Sequence, residues 1–343
     1  EEKEKSSYKI KLDKDQYFFG INKFSLQKPR IRNYIHEWIF HQMAEDFDLI
    51  KIQYKFLDLS INGENKGLYV LEEGFGKELI ERNKRRNGPI FGLDEDIVSE
   101  LSIDINSNDI VFEIYNKKYW AKEENRKLVN IASQKLRNFL NQKTPIEDVL
   151  DIKKWAAYLS ITDLTGTFHG TLLKSVKFYY NPINGLFEPI PFDGHRYKQN
   201  YHKYKLRYDN TILIDKIRNP STEAETKAYS WLKSLFYKEN GEINALFYNE
   251  YIKSLNTISS KKYLDKFIKE NINEIKKINS HIYADYFYYD NSKNYGVGLY
   301  YFLLSDFYYQ AKNIRNKLDK EKKIQITKKL NSEYLIKIFN PKG

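Results

Sequence analysis

Polar and apolar residues alternate at the start of the chain. Tyr8-Lys9-Ile10-Lys11-Leu12 and Lys23-Phe24-Ser25-Leu26-Gln27 each keep the two-residue period of a half-buried strand. The period changes after Pro29, which suits a first helical turn. Ile31, Ile35, Trp38, Ile39, Gln42 and Met43 then form a largely apolar stripe at helical spacing. Residues 55–61 and 68–71 return to a strand pattern on either side of Asn62-Gly63-Glu64-Asn65-Lys66-Gly67, whose glycines supply the positive φ angles of a hairpin turn. The predicted order through residue 75 is strand, strand, helix, strand, strand.

Helical periods dominate beyond Gly76. Short and long helices are predicted over 77–82 and 122–140. Thr144-Pro145-Ile146-Glu147 has the form of a capping box with proline at the first helical position, so a further helix is predicted over about 145–162. A second hairpin follows, with Lys177-Phe178-Tyr179-Tyr180 and Leu186-Phe187-Glu188-Pro189-Ile190 flanking the turn Asn181-Pro182-Ile183-Asn184-Gly185. Helices over 243–255, 261–286 and 303–318 and a last strand at 334–339 complete the pattern. There is no internal repeat and no low-complexity linker.

Composition narrows the chemistry. The 343 residues exceed the size at which one core usually stops growing, so two lobes are expected. With no cysteine, disulfides, thiolate metal sites and thiol nucleophiles are excluded. No apolar run reaches the roughly 18–20 residues of a membrane-spanning helix. The 57 Lys and Arg against 46 Asp and Glu leave a net charge of +11, and 29 Tyr and 21 Phe make the chain rich in aromatics. A basic, aromatic surface suits an anionic partner, although AT-rich coding yields the same bias. The chain opens on Glu1 within a charged run, so an upstream segment is expected to have been removed.

Two carboxylates flank the second hairpin. A predicted helix ends at Thr162-Asp163, a loop carries Gly166, His169 and Gly170, and the hairpin leads into Pro191-Phe192-Asp193-Gly194. Phosphoryl transfer uses such an arrangement, with one aspartate at a helix-to-loop junction orienting the acceptor hydroxyl and another after a hairpin holding Mg²⁺. Spacing alone also allows both to be ordinary turn residues.

A resemblance sharpens this. Phe24-Ser25-Leu26-Gln27-Lys28-Pro29-Arg30-Ile31-Arg32, then Ile61-Asn62-Gly63-Glu64-Asn65-Lys66-Gly67-Leu68-Tyr69-Val70-Leu71-Glu72-Glu73, then Asp163 and His169 before Phe178-Tyr179-Tyr180-Asn181-Pro182, and Glu188-Pro189-Ile190-Pro191-Phe192-Asp193 together resemble the CotH kinase family over about residues 6–200. That family comprises atypical, protein-kinase-like enzymes first associated with spore coats and widespread in bacteria. The resemblance implies an α+β, protein-kinase-like bilobal fold. A small β-rich N-lobe with one helix would span residues 6–73, and a larger, mainly helical C-lobe, carrying the site hairpin at 176–192, would span 74–343. It implies ATP and Mg²⁺ as cofactors and transfer to a Ser/Thr hydroxyl of a protein or to a hydroxyl of a surface polymer, the acceptor being anionic or Ser-rich and nucleic acid an unfavoured partner. It also suggests a bacterial cell-envelope or secreted location.

By the family motif Asp163 corresponds to the catalytic aspartate and Asp193 to the metal-binding one, with His169 in the loop between them. Glu73 would lie close to the adenine. Lys11 or Lys23 could meet phosphate, Arg32 matches a basic position of the pattern, and Glu37 could pair with a strand lysine; Lys11, Lys23 and Glu37 read equally as a solvated face. The chain departs from the pattern where Ser175 takes the place of a metal-binding asparagine and where Gly194-His195-Arg196 follows Asp193 without a second acid. A degenerate kinase, using a basic and Tyr-rich surface to hold an anionic partner, is therefore the alternative function. The densest such stretch runs over residues 197–208. His36 and His41 are five apart and diverge around a helix, which argues against a shared zinc, and Gly74-Phe75-Gly76 lacks the third glycine of a dinucleotide site.

Overall fold

The computed structural model describes residues 6–13, 15–93, 111–194, 201–202, 205–206, 212–220, 223–289, 304–323, 327–328 and 334–335. Strands β1 (Tyr8–Lys11), β2 (Lys23–Gln27), β3 (Tyr54–Ile61) and β4 (Glu64–Glu73) form an antiparallel sheet in the order β1-β2-β4-β3, with helix α1 (Ile35–Asp46) between β2 and β3 in sequence. This is the strand, strand, helix, strand, strand order that the patterning predicts. β4 is central and buried on both faces from Gly67 onward. Leu68 and Val70 join the main core with α1, while Tyr69 and Leu71 pack on the other face with Ile21, Phe24 and Leu26.

The predicted helix at Pro29 begins later than its period suggests. Pro29–Arg32 is a single 3₁₀ turn, and Asn33 and Tyr34 take positive φ (51° and 58°) before α1 starts at Ile35. Two consecutive non-glycine residues in that region are sterically costly. They take Arg32 out of the helix and leave its side chain free of the α1 stripe.

Helix α2 (Lys77–Arg82) follows the small sheet. The second hairpin, β7 (Phe178–Asn181) and β8 (Leu186–Pro189), forms as predicted but belongs to a larger sheet, β6-β5-β7-β8, completed by β5 (Ile90–Leu93) and β6 (Phe112–Ile114). Helices α3 (Lys117–Trp120) and α4 (Glu123–Leu140) lead to α5 (Ile152–Thr165). Its start is displaced from residue 145 to 152: Leu150 bridges Phe187 of β8, and Asp151 caps the helix by accepting from the Lys154 amide at 3.2 Å. From Trp155 to Thr165 every residue of α5 is buried, so its Ser160, Thr162 and Thr165 hydroxyls return to carbonyls four residues back.

Around α5 gather α6 (Leu213–Arg218), α7 (Glu223–Phe236), α8 (Ala245–Ile258), α9 (Lys261–Tyr289) and α10 (Leu304–Lys323). α9 also braces the small sheet, where Asp285 accepts from the Leu68 amide at 2.7 Å, and α1, where the Tyr263 hydroxyl donates to Asp46 at 2.9 Å. Short strand pairs β9 (Tyr201–His202) with β10 (Lys205–Leu206) and β11 (Thr327–Lys328) with β12 (Tyr334–Leu335) remain. The architecture is α+β, a small antiparallel sheet region followed by a larger helical part. Among the described residues no helix is long and apolar enough to cross a membrane.

Candidate functional site

The segment after β8 meets the turn before α1. Arg32, at the end of its 3₁₀ turn, donates through Nε to Glu72 Oε2 at 3.0 Å, pairs through its other guanidinium edge with Asp193 Oδ1, and lies 4.8 Å over the Phe192 ring. Gln27 Nε2 donates to the other Glu72 oxygen at 2.6 Å. Asp193 itself has φ of 57°. Its Oδ2 accepts from the Ser175 hydroxyl at 3.0 Å and lies 2.6 Å from His169 Nδ1.

Two glycines allow this meeting. A Cβ on Gly170 would stand 2.2 Å from the Phe192 carbonyl oxygen, and one on Gly194 would stand 2.6 Å from Phe40 Cδ1 and 3.0 Å from Glu37 Oε2. The loop bearing His169 is itself pinned, since the Tyr158 hydroxyl donates to the Gly170 carbonyl at 2.7 Å and Trp231 Nε1 to the Thr171 carbonyl at 2.8 Å.

Charge in this cluster is concentrated and largely out of water. Burial opposes the Arg32 charge, but Glu72, Asp193 and Glu37 outweigh it and raise its pKa further, so the guanidinium stays protonated. Burial pushes Glu72 up against the pull of Arg32. Tyr54 and Tyr158 are also pushed up, by burial first and then by the fields of Glu37 with Glu72 and of Glu37 with Asp193. Glu37 is fully buried; its Oε1 meets His41 Nε2 at 3.1 Å, and its Oε2 has no hydrogen-bond partner among the described residues. The expected pairing of Glu37 with a strand lysine is thus replaced by a pairing along its own helix, one turn on. Lys177 is buried as well, its ammonium 5.6 Å from the Phe192 centroid and 5.8 Å from that of Tyr115.

The structure therefore brings Arg32, His169, Ser175 and Asp193 together. It puts the other expected residues elsewhere. Asp163 has no exposed surface: Oδ1 accepts from the Leu213 amide at 2.7 Å, Oδ2 from the Tyr251 hydroxyl, and its carbonyl from Gln310 Nε2 at 3.0 Å. It joins α5 to α6, α8 and α10, and burial pushes its carboxyl up to about 7. In this conformation it presents neither oxygen to an acceptor. Glu73 is buried on the opposite face of β4 from Glu72, accepting from the Gln53 amide at 2.9 Å and pairing with Arg82. Lys11 and Lys23 are exposed cross-strand partners of β1 and β2.

Glu72, Gln27, Phe192, Tyr158 and Lys177 are the site residues that sequence reasoning missed. For Glu72 a signal existed, because it shares the strand parity of Leu68 and Val70, which face α1. For Tyr158 and Lys177 there was none, since each reads locally as core or as a polar strand position. Residues 197–208 lie largely outside the described residues, and none of their side chains is described. Among the described residues no group of three or more His, Cys, Asp or Glu is placed to hold a metal ion.

The sequence profile of a family described as "CotH kinase protein" matches residues 1–335. Among solved structures the chain is similar to one described as the Shewanella oneidensis MR-1 toxin-antitoxin system HipA, HipB and its operator DNA complex, at 12% identity and a TM-score of 0.34, covering 92% of this chain and 63% of that one. Comparison with the curated proteins yields no match.

Proposed function

The chain belongs to the CotH kinase family, and from that premise we propose that it is a phosphotransferase moving the terminal phosphate of ATP to a hydroxyl acceptor. The acceptor is a Ser/Thr side chain of a protein or a hydroxyl of a surface polymer. The observation that carries this reading is the contact of Arg32 with both Glu72 and Asp193. It joins the small sheet to the segment after the hairpin, where a phosphate chain would have to lie between them, and it holds a permanent cation there.

In this reading Arg32 meets phosphate oxygens through the guanidinium N–H groups left over from its contacts with Glu72 and Asp193. Little else is needed from the protein beyond position and charge neutralisation. The acceptor oxygen forms its bond to the terminal phosphorus as the bond to the bridging oxygen breaks, and the nucleoside diphosphate leaves. His169, oriented by Asp193, takes the acceptor proton in this reading, and the burial of Asp163 supports giving the role to His169. Tyr158 and Trp231 keep the His169 loop in place.

A kinase family implies metal use in general. The donor set around Asp193 does not fit a metal ion: both carboxylate oxygens already face donors, two of them on basic side chains. The withdrawal of Asp163 into the helical core favours a second reading, a kinase-like module that binds nucleotide and holds an anionic partner without transferring phosphate.

Transfer of labelled phosphate from ATP to a Ser-rich protein acceptor decides between them. The first reading expects transfer that falls at least about a hundredfold in His169→Ala, the scale of a lost general base, and persists in Asp163→Asn. Nucleotide binding without transfer to any acceptor, or to the chain itself, would replace it with the second.

A further inference from the structure

We infer that Arg32 stands in for a divalent cation, so that this chain binds the triphosphate of its nucleotide without metal. The inference rests on the proposed nucleotide site and concerns how that site neutralises phosphate. Mg²⁺ demands near-ideal octahedral oxygen coordination at about 2.0–2.1 Å, supplied by one or two carboxylates, phosphates and water. Asp193 is the carboxylate in position to serve. Its Oδ1 pairs with the Arg32 guanidinium, and its Oδ2 accepts from Ser175 and meets His169. Ser175 directs its hydroxyl hydrogen at that same oxygen, and so adds a donor where a metal needs an acceptor.

Among the described residues the other carboxylates do not complete a shell. Glu72 is engaged by Arg32 and Gln27, and Glu37 lies beneath Gly194 with no exposed surface. Asp163, the second acid of the motif, holds the helices together instead. Arg32, for its part, is not placed to swing away. Glu72 fixes one edge of its guanidinium, Asp193 the other, Phe192 underlies it at 4.8 Å, and Glu37 adds its field. A dication at Asp193 would have to displace the Arg32 guanidinium from Oδ1, whereas phosphate oxygens can meet the N–H groups which that guanidinium does not use on Glu72 and Asp193.

Binding of ATP, followed by isothermal titration calorimetry, tests this with the unaltered chain in EDTA and in excess MgCl₂. The expected dissociation constants agree within about threefold, and Arg32→Gln weakens binding in EDTA at least about tenfold. Arg32→Lys keeps the charge without the fork and should fall between the two. Circular dichroism identifies any variant that has lost its fold, and the comparison of EDTA with MgCl₂ needs no variant. Binding that appears only with Mg²⁺ overturns the inference and leaves the functional reading standing. Binding in EDTA that Arg32→Gln does not weaken overturns it too, because the phosphate would then be met by another group. No binding in either condition overturns the nucleotide site itself.

Discussion

Asp163 shows how one side chain can match a motif and serve another end. The sequence places it at a helix terminus before a loop, and the structure seats it there, but facing the helices rather than the loop. Its native carboxyl keeps a proton up to about pH 7, whereas in the unfolded chain it ionises from its ordinary 3.8. Over that interval the native state binds more protons, so the contribution of Asp163 to stability declines as pH rises from about 4 to 7 and is level on either side. Urea denaturation across this range should show the decline in the unaltered chain relative to Asp163→Asn, which does not titrate and keeps the Leu213 amide on its oxygen while its amide nitrogen donates to the Tyr251 oxygen. A pH-independent difference between the two would count against the buried, proton-bearing carboxyl. Asp163→Ala leaves the Leu213 amide and the Tyr251 hydroxyl hydrogen without their acceptor and should cost about 2–4 kcal/mol. Glu72 and Glu73 teach a related lesson. Both were visible as acids ending a strand, yet strand parity sends only Glu72 to Arg32.

Among the elements, those with a clear period were legible: the two strand pairs of the small sheet, the 77–82 and 122–140 helices, the second hairpin and the long helix α9. Boundaries set by distant contacts were not. α5 starts late because Leu150 bridges β8, and α1 starts late because Asn33 and Tyr34 turn the chain to present Arg32. The hairpin of β7 and β8 is fixed to α5 by an ion cluster that no local pattern announces. Glu188 is almost fully buried and receives Lys154 at 2.8 Å, Arg85 at 3.1 Å and Asn181 at 2.8 Å; Asp48 binds the same two cations, which hold its pKa below the ordinary value against burial. Glu188→Ala leaves Lys154 and Arg85 with the exposed Asp48 as their remaining acid and Asn181 without its acceptor, so it should destabilise by about 1–3 kcal/mol in equilibrium denaturation. A loss within about 0.5 kcal/mol, the scale of ordinary surface substitutions, would mean the cluster is solvated.

For the molecule as a whole, packing continues across residue 73, where the two lobes are expected to meet. One buried cluster runs from Ile35, Phe40 and Met43 of α1 through Trp155 and Leu159 of α5 to Ile314 and Leu318 of α10, while α9 reaches back to β4. Shared core makes the small sheet depend on the helices, so calorimetry should find one cooperative transition, with ATP at a hundred times its dissociation constant adding about 2.7 kcal/mol to the whole. Two separated transitions, only one of them moved by ATP, would show lobes that unfold independently. The sequence by itself determined the alternating and helical periods, the hairpin turns, the absence of thiol chemistry and the Phe192-Asp193-Gly194 segment, because each depends on neighbours a few residues apart. Tertiary structure alone decided that Asp193 would meet Arg32 across 161 positions, that His169 and Ser175 would share its second oxygen, and that Asp163 would turn inward. A local pattern says which face of an element is apolar. Which buried charges then find one another depends on how distant elements pack, and an unpaired charge in the core costs too much to be left to either one alone.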